Sequence, residues 1–249
     1  MEVIILDGIK INENLMRRIV RAIDKAIVED IPEYFRDNYK ETNNAVIHLR
    51  GDFINENLRN LVVGGDIELI PFKRYVWQGR IIVDRKEKIT YTITTQKTLR
   101  SIPRKHRNKP HFLQSILGIE NSSYEASIRQ VSLMDLYPFE TEELEIDYNS
   151  IMEGMIDPTE GYRHYVIAYD AESSEVRDIQ LEFLDKEFNT IETASLNEYI
   201  KPDFSRLTDI EFLYEDLSEE ADDEAKGLVA IKSNKSGLSS KLREVPKQA

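Results

Sequence analysis

The hydrophobic period of this chain changes at Gly64-Gly65, and that change limits the folds open to it. Ahead of the glycines, Leu15, Met16, Ile19, Val20, Ile23, Ala26, Ile27 and Ile31 recur at helical spacing and share one face, with Arg17, Arg18, Arg21 and Lys25 placed elsewhere. Asn12 is the expected N-cap, and Pro32 is expected to end or kink the helix. Asp30 and Glu33 have the spacing of a capping box for a second short helix with Pro32 in its first turn. After a polar loop over 41–44, Asp52 is expected to cap a helix over 53–63. That helix carries Phe53, Ile54, Leu58, Leu61 and Val62 on one side, and Gly64-Gly65 stops it.

Beyond the glycines the period is two. Ile67, Leu69 and Pro71 alternate against Glu68, Ile70 and Phe72, and 80–83 is a short apolar run. Ile89, Tyr91 and Ile93 then alternate with Thr90, Thr92 and Thr94, which completes a three-stranded antiparallel meander with turns near Gln78-Gly79 and over 85–88. Thr95 caps a short helix that Pro103 ends, and 104–110 is a basic surface loop. Further strands are expected over 112–119, 124–131, 162–170, 176–184 and 190–194, with a turn over 186–189; 133–157 reads as a loop with a short helix. The fold class is therefore α+β, N-terminal helices packed on a mostly antiparallel sheet. Residues 1–45 form an N-terminal helical segment, 46–214 an α+β core domain, and 215–249 a disordered tail, first acidic and then basic.

Composition removes several kinds of chemistry. Zero cysteines exclude disulfides, thiolate metal sites, iron–sulfur clusters and cysteine nucleophiles. No apolar run approaches the roughly 20 residues that span a bilayer, and the N-terminus lacks a basic leader, so a cytoplasmic protein with no membrane partner is expected. His48, His106, His111 and His164 show no metal-binding spacing, and no phosphate loop, dinucleotide fingerprint or nucleophile elbow occurs. No catalytic residue and no cofactor are expected.

Charge is segregated along the chain. Residues 50–111 hold 14 Lys/Arg against 6 Asp/Glu, residues 135–224 hold 5 against 28, and residues 225–249 hold 6 against 1. Within the basic block, Arg50, Lys73, Arg74, Tyr75, Trp77 and Arg80, with Arg104 and Arg107 of the basic loop, interleave cations with aromatics. Such a set can hold phosphates and stack a base or a guanidinium. In the tail, two apolar-basic islands at 228–232 and 241–245 stand out, and Leu242 and Arg243 of the second are a candidate docking motif.

The helix–three strands–helix–strand order from Phe53 onward resembles the core of the PD-(D/E)XK nuclease-like fold. That resemblance would place metal ligands at Glu56 and Asp84, but Ile89-Thr90-Tyr91-Thr92 stands where Glu-x-Lys belongs, which implies a degenerate, binding-only core. The segments Gly51-Asp52-Phe53-Ile54-Asn55-Glu56-Asn57-Leu58, Glu68-Leu69-Ile70-Pro71-Phe72-Lys73-Arg74, Trp77-Gln78-Gly79-Arg80, His111-Phe112-Leu113-Gln114-Ser115-Ile116-Leu117, Gly161-Tyr162-Arg163-His164-Tyr165 and Asn197-Glu198-Tyr199-Ile200-Lys201-Pro202-Asp203-Phe204 resemble an uncharacterised family of Firmicutes and their mobile elements. That resemblance implies a prophage or mobile-element accessory protein. The function expected first is a non-enzymatic regulatory or host-interaction protein that binds a protein partner through charge-segregated faces. The alternative is a nucleic-acid-binding protein with a degenerate nuclease-like core.

Overall fold

In the computed structural model, which describes residues 5–6, 8–38, 46–74, 77–105, 107–127, 139–172 and 174–200, a two-stranded antiparallel pair opens the chain, β1 (Ile5–Leu6) and β2 (Ile9–Lys10). Asn12 then starts helix α1 (Glu13–Lys25), its Oδ1 accepting from Leu15 N at 3.1 Å. Pro32 does not end the helical path. A π-helical turn over Ala26–Asp30 precedes α2 (Ile31–Asp37), in whose first turn Pro32 lies, and Ile31 N donates to Ala26 O, five residues back. A proline leaves one carbonyl upstream without its N–H, and a widened turn just before it is one way to rearrange the ladder. Asp30 makes no cap. Its carboxylate takes Lys25 and the buried Asn57, whose Nδ2 donates at 2.6 Å and ties the next helix to the first.

That next helix, α3 (Val46–Leu61), begins six residues before the expected cap, and Asp52 is an exposed interior residue of it. No proline interrupts 46–52, so helix continues through Gly51-Asp52 at modest cost. After Gly64 and Gly65, both at positive φ, come β3 (Ile67–Arg74), β4 (Trp77–Asp84) and β5 (Ile89–Thr95), paired antiparallel as the alternation predicts. The register pairs Arg74 with Trp77. The expected turn at Gln78-Gly79 is therefore strand interior, and residues 75 and 76 lie outside the described residues.

Thr95 caps α4 (Gln96–Ser101), its side chain accepting from Thr98 N, and a short 3-10 turn, Ile102–Arg104, follows. The strand expected over 112–119 is instead helix α5 (Phe112–Glu120). Its apolar pairs Phe112-Leu113 and Ile116-Leu117 sit four residues apart, a spacing that a short apolar run shares with a buried strand. Residues 124–127 of the next expected strand are irregular. Helix α6 (Thr141–Met152) is followed by β6 (Arg163–Glu172), β7 (Glu175–Leu184) and β8 (Thr190–Ser195), the three strands expected there.

One six-stranded sheet in the order β3-β4-β5-β6-β7-β8 results, antiparallel throughout except for the parallel pair β5–β6, which the α4–α6 crossover joins. This is an α+β fold; α3 and β3 to β5 follow in the order expected from Phe53, but α4, α5 and α6 all precede β6, because the strand expected over 112–119 is helix. Two cores lie on the two sheet faces. One packs Leu15, Ile19 and Ile23 of α1 and Leu58 of α3 on Ile82, Tyr91, Tyr165 and Leu181; the other packs Leu113 and Leu117 of α5 and Tyr148 and Met152 of α6 on Ile81, Val83 and Val166. The helical segment before residue 45 thus shares a core with the sheet. By contacts the chain divides into the units Met1–Lys201 and Pro202–Ala249; the second, with the tail from 215, Leu242 and Arg243, lies outside the described residues.

Candidate binding site

Side chains alternate across a strand, so the register at the β3–β4 reversal decides which candidate residues meet. Phe72 pairs with Gly79 and Arg74 with Trp77, whereas Lys73 pairs with Gln78 and Pro71 with Arg80. Phe72, Arg74 and Trp77 therefore face the α5–α6 side, and Lys73 and Arg80 face the α1–α3 side. The sheet divides a set that the sequence presents as one. Tyr75 lies outside the described residues. Arg50, half-buried on α3, acts electrostatically on Tyr169 in the core on the α1–α3 side.

On the α5 side an aromatic shelf forms. The Trp77 and Phe112 rings stack at 5.2 Å and 27°, and Phe72 meets Trp77 edge-on at 5.2 Å. Trp77 remains 45% exposed. Gly79 makes the shelf possible, because a Cβ there would come within 2.7 Å of the Phe72 ring and 2.8 Å of the indole. This is why the strand interior carries a glycine where a turn is expected.

Phe112 is also the first residue of α5, so the shelf adjoins a helix N-terminus. His111 is the cap, its Nδ1 accepting from Leu113 N at 3.3 Å, while Gln114 Oε1 accepts from His111 N at 2.6 Å. Burial, together with the charges of Arg107, Arg74 and Lys105, pushes His111 down to about 3. Arg74 is half-buried and engaged: Nη1 binds Asp147 of α6 at 3.0 Å and Nη2 donates to Pro110 O. Ser115 Oγ donates to the same Asp147 carboxylate. Among the described residues no carboxylate lies within ion-pair distance of Lys73, Arg104, Lys105 or Arg107. Arg104 and Lys105 are exposed and Arg107 half-buried.

The two carboxylates that the nuclease resemblance singled out do other things. Glu56 is exposed on α3, and Asp84 is buried at the end of β4, where Oδ1 accepts from Lys86 N and Glu87 N, each at 3.1 Å. Burial raises the Asp84 pKa, and the residue pins the 85–88 turn. No cluster of three or more His, Cys, Asp or Glu among the described residues could hold a metal ion.

A titratable cluster that the sequence does not announce lies under α5 and α6. Glu120 Oε1 accepts from Tyr148 OH at 2.9 Å, and Oε2 takes the Thr90 hydroxyl. Thr90 Oγ1 lies 2.7 Å from His164 Nδ1, and Thr92 Oγ1 lies 2.8 Å from His164 Nε2. Asn121 braces the His164 backbone, donating to its carbonyl at 2.9 Å and accepting from its N–H at 2.9 Å. Burial drives Glu120 up to about 7 and His164 down to about 3. The 3.9 Å approach of His164 Nδ1 to Glu120 Oε2 is thus no ion pair in mild acid, because both groups are neutral and Thr90 stands between them. Protonated Glu120 donates to Thr90, Thr90 donates to Nδ1, and Nε2–H donates to Thr92. Ionised Glu120 is equally well bonded if every donor in the chain reverses. Glu120, His164, Thr90, Thr92 and Tyr148 are all buried, and their hydrogen bonds tie β5 and β6 to α5 and α6.

No helix among the described residues is long and apolar enough to cross a membrane. The model of DUF5986, a family of unknown function, matches residues 8–245. The chain belongs to that family. No curated protein and no solved structure matches it. The DUF5986 match takes in the shelf, the α5 cap, the buried cluster and the positions of Leu242 and Arg243.

Proposed function

We propose that this DUF5986 protein binds single-stranded nucleic acid without cutting it, through the Trp77 shelf and the cations beside it. The observation that carries this is the half-exposed Trp77 ring stacked on Phe112, whose neighbour His111 feels the charges of Arg107 and Lys105, which no carboxylate among the described residues neutralises. A flat ring open on one face accepts any base, and cations at its rim follow a phosphate backbone. Duplex DNA keeps its bases stacked inside, so the shelf favours single strands. Trp77 is the only tryptophan, so its fluorescence reports directly on the shelf. Titration with oligothymidylate should quench it, and Trp77→Ala, followed by anisotropy of a labelled strand, should weaken binding about tenfold, the worth of one stacked base. Equal affinity for the variant and the wild type would remove the reading.

Capture of a protein partner is the second reading, and Ile146 favours it. Its side chain is 65% exposed on α6 among the exposed Glu142, Glu143 and Glu145, an apolar contact point set in an acidic surface. The resemblance to Firmicutes mobile-element proteins supports placing either kind of binding in the cytoplasmic regulation of such an element.

A further inference from the structure

The N-terminus of α5 holds polar groups that the fold itself leaves unanswered. Gln114 is 5% exposed, and its Nε2 has no hydrogen-bond partner among the described residues. The amide cannot simply be turned over, because Oε1 receives His111 N at 2.6 Å and a flip would set donor against donor. A buried donor without a partner costs about 1–3 kcal/mol, so native structures rarely keep one without a reason. Arg107 repeats the pattern, with a buried Nε that also lacks a partner among the described residues. Around His111 three cations act, Arg107 and Lys105 from the loop and Arg74 from β3. Among the described residues the one carboxylate bonded to any of them is Asp147, which α6 presents to Arg74. The α5 dipole adds further positive potential at the same end.

We infer that this end of α5 is a phosphate seat, in which Gln114 Nε2 and Arg107 donate to the oxygens of a phosphate group whose attached nucleoside stacks on Trp77. Phe112 fixes the geometry, since it is at once the first helical residue behind the His111 cap and the ring on which Trp77 lies. The seat and the shelf are therefore neighbours, as the phosphate and base of one nucleotide unit are. The inference rests on the proposed function for the stacked base, but the seat itself takes phosphate from any source.

The test uses the full chain with nitrogen-15 label and inorganic phosphate as the first probe. Saturable phosphate binding should shift the Gln114 side-chain amide. The bound anion also offsets Arg107, Lys105 and Arg74, so His111 should take up its proton at a higher pH with phosphate than without. Arg107→Ala, a loop change outside both cores, should weaken phosphate about tenfold. Thymidine monophosphate and 5′-phosphorylated oligothymidylate should each bind more tightly than thymidine and the unphosphorylated strand, which separates a free nucleotide from a strand end. A Gln114 amide that phosphate leaves unmoved, or an Arg107→Ala protein that binds it like the wild type, overturns the seat. Strand binding that quenches Trp77 yet ignores phosphate competition removes the seat and keeps the proposed function. Phosphate saturation at Gln114 with no response of Trp77 to strands does the reverse.

Discussion

Glu120 shows most clearly how one residue's surroundings set its behaviour. Its folded pKa, about 7, stands above the ordinary 4.5. The folded form therefore holds a proton that the unfolded chain releases, and the stability this gives is complete below pH 4.5 and lost as pH rises through 7. Glu120→Gln mimics the neutral acid, keeping Tyr148 as donor and Thr90 as neighbour. Across pH 4.5 to 7.5 the wild type should lose about 3 kcal/mol relative to this variant, measured by urea unfolding at each pH; parallel stability curves would contradict the assignment. His164 acts in the opposite sense, because a histidine held at about 3 disfavours folding as pH falls below 6.5. None of this was legible in the sequence. Thr90 and Thr92 alternate with apolar residues and read as the wet face of a strand, yet both are buried, and their partners Glu120 and His164 lie 30 to 74 residues away. Only the parallel register that sets Thr90 beside His164 brings them together.

At the scale of elements, the β3–β4 reversal and the α5 cap build the shelf between them. Gly79→Ala should push the Phe72 ring or the indole aside, costing about 1–3 kcal/mol as overpacking does and moving Trp77 emission to longer wavelength. Unchanged emission with unchanged stability would show that the 2.7 Å approach relaxes freely. Arg74 joins β3 to both α6 and the loop before α5. Its half-buried ion pair with Asp147 should contribute about 1 kcal/mol, read as the coupling in a double-mutant cycle of Arg74→Ala and Asp147→Ala. The sequence revealed α1, the meander and β6 to β8 because period and turn residues agree there. It hid α5, whose cap is a histidine rather than Ser, Thr, Asp or Asn and whose apolar run is too short for its period to distinguish helix from strand. Grouping Arg74 with Arg80 also failed for a physical reason: Arg74 pairs with Trp77, and Arg80, three residues further along β4, falls on the other face of the sheet.

For the whole molecule, the basic block supplies β3 to β5 and the approach to α5, while α6 and β6 to β8 come from the acidic block. Opposite charges do meet at Arg74–Asp147, yet Arg104, Lys105 and Arg107 stay unneutralised among the described residues. A surface of this kind should announce itself through salt, since each phosphate it neutralises releases a counterion. The decisive measurement is the affinity for oligothymidylate, read from Trp77 quenching, at a series of salt concentrations. The account predicts a straight fall of log affinity against log salt with a slope of about −2, as expected when about three phosphates are held. Affinity that does not change with salt, or a tryptophan that strands leave unquenched, would contradict it.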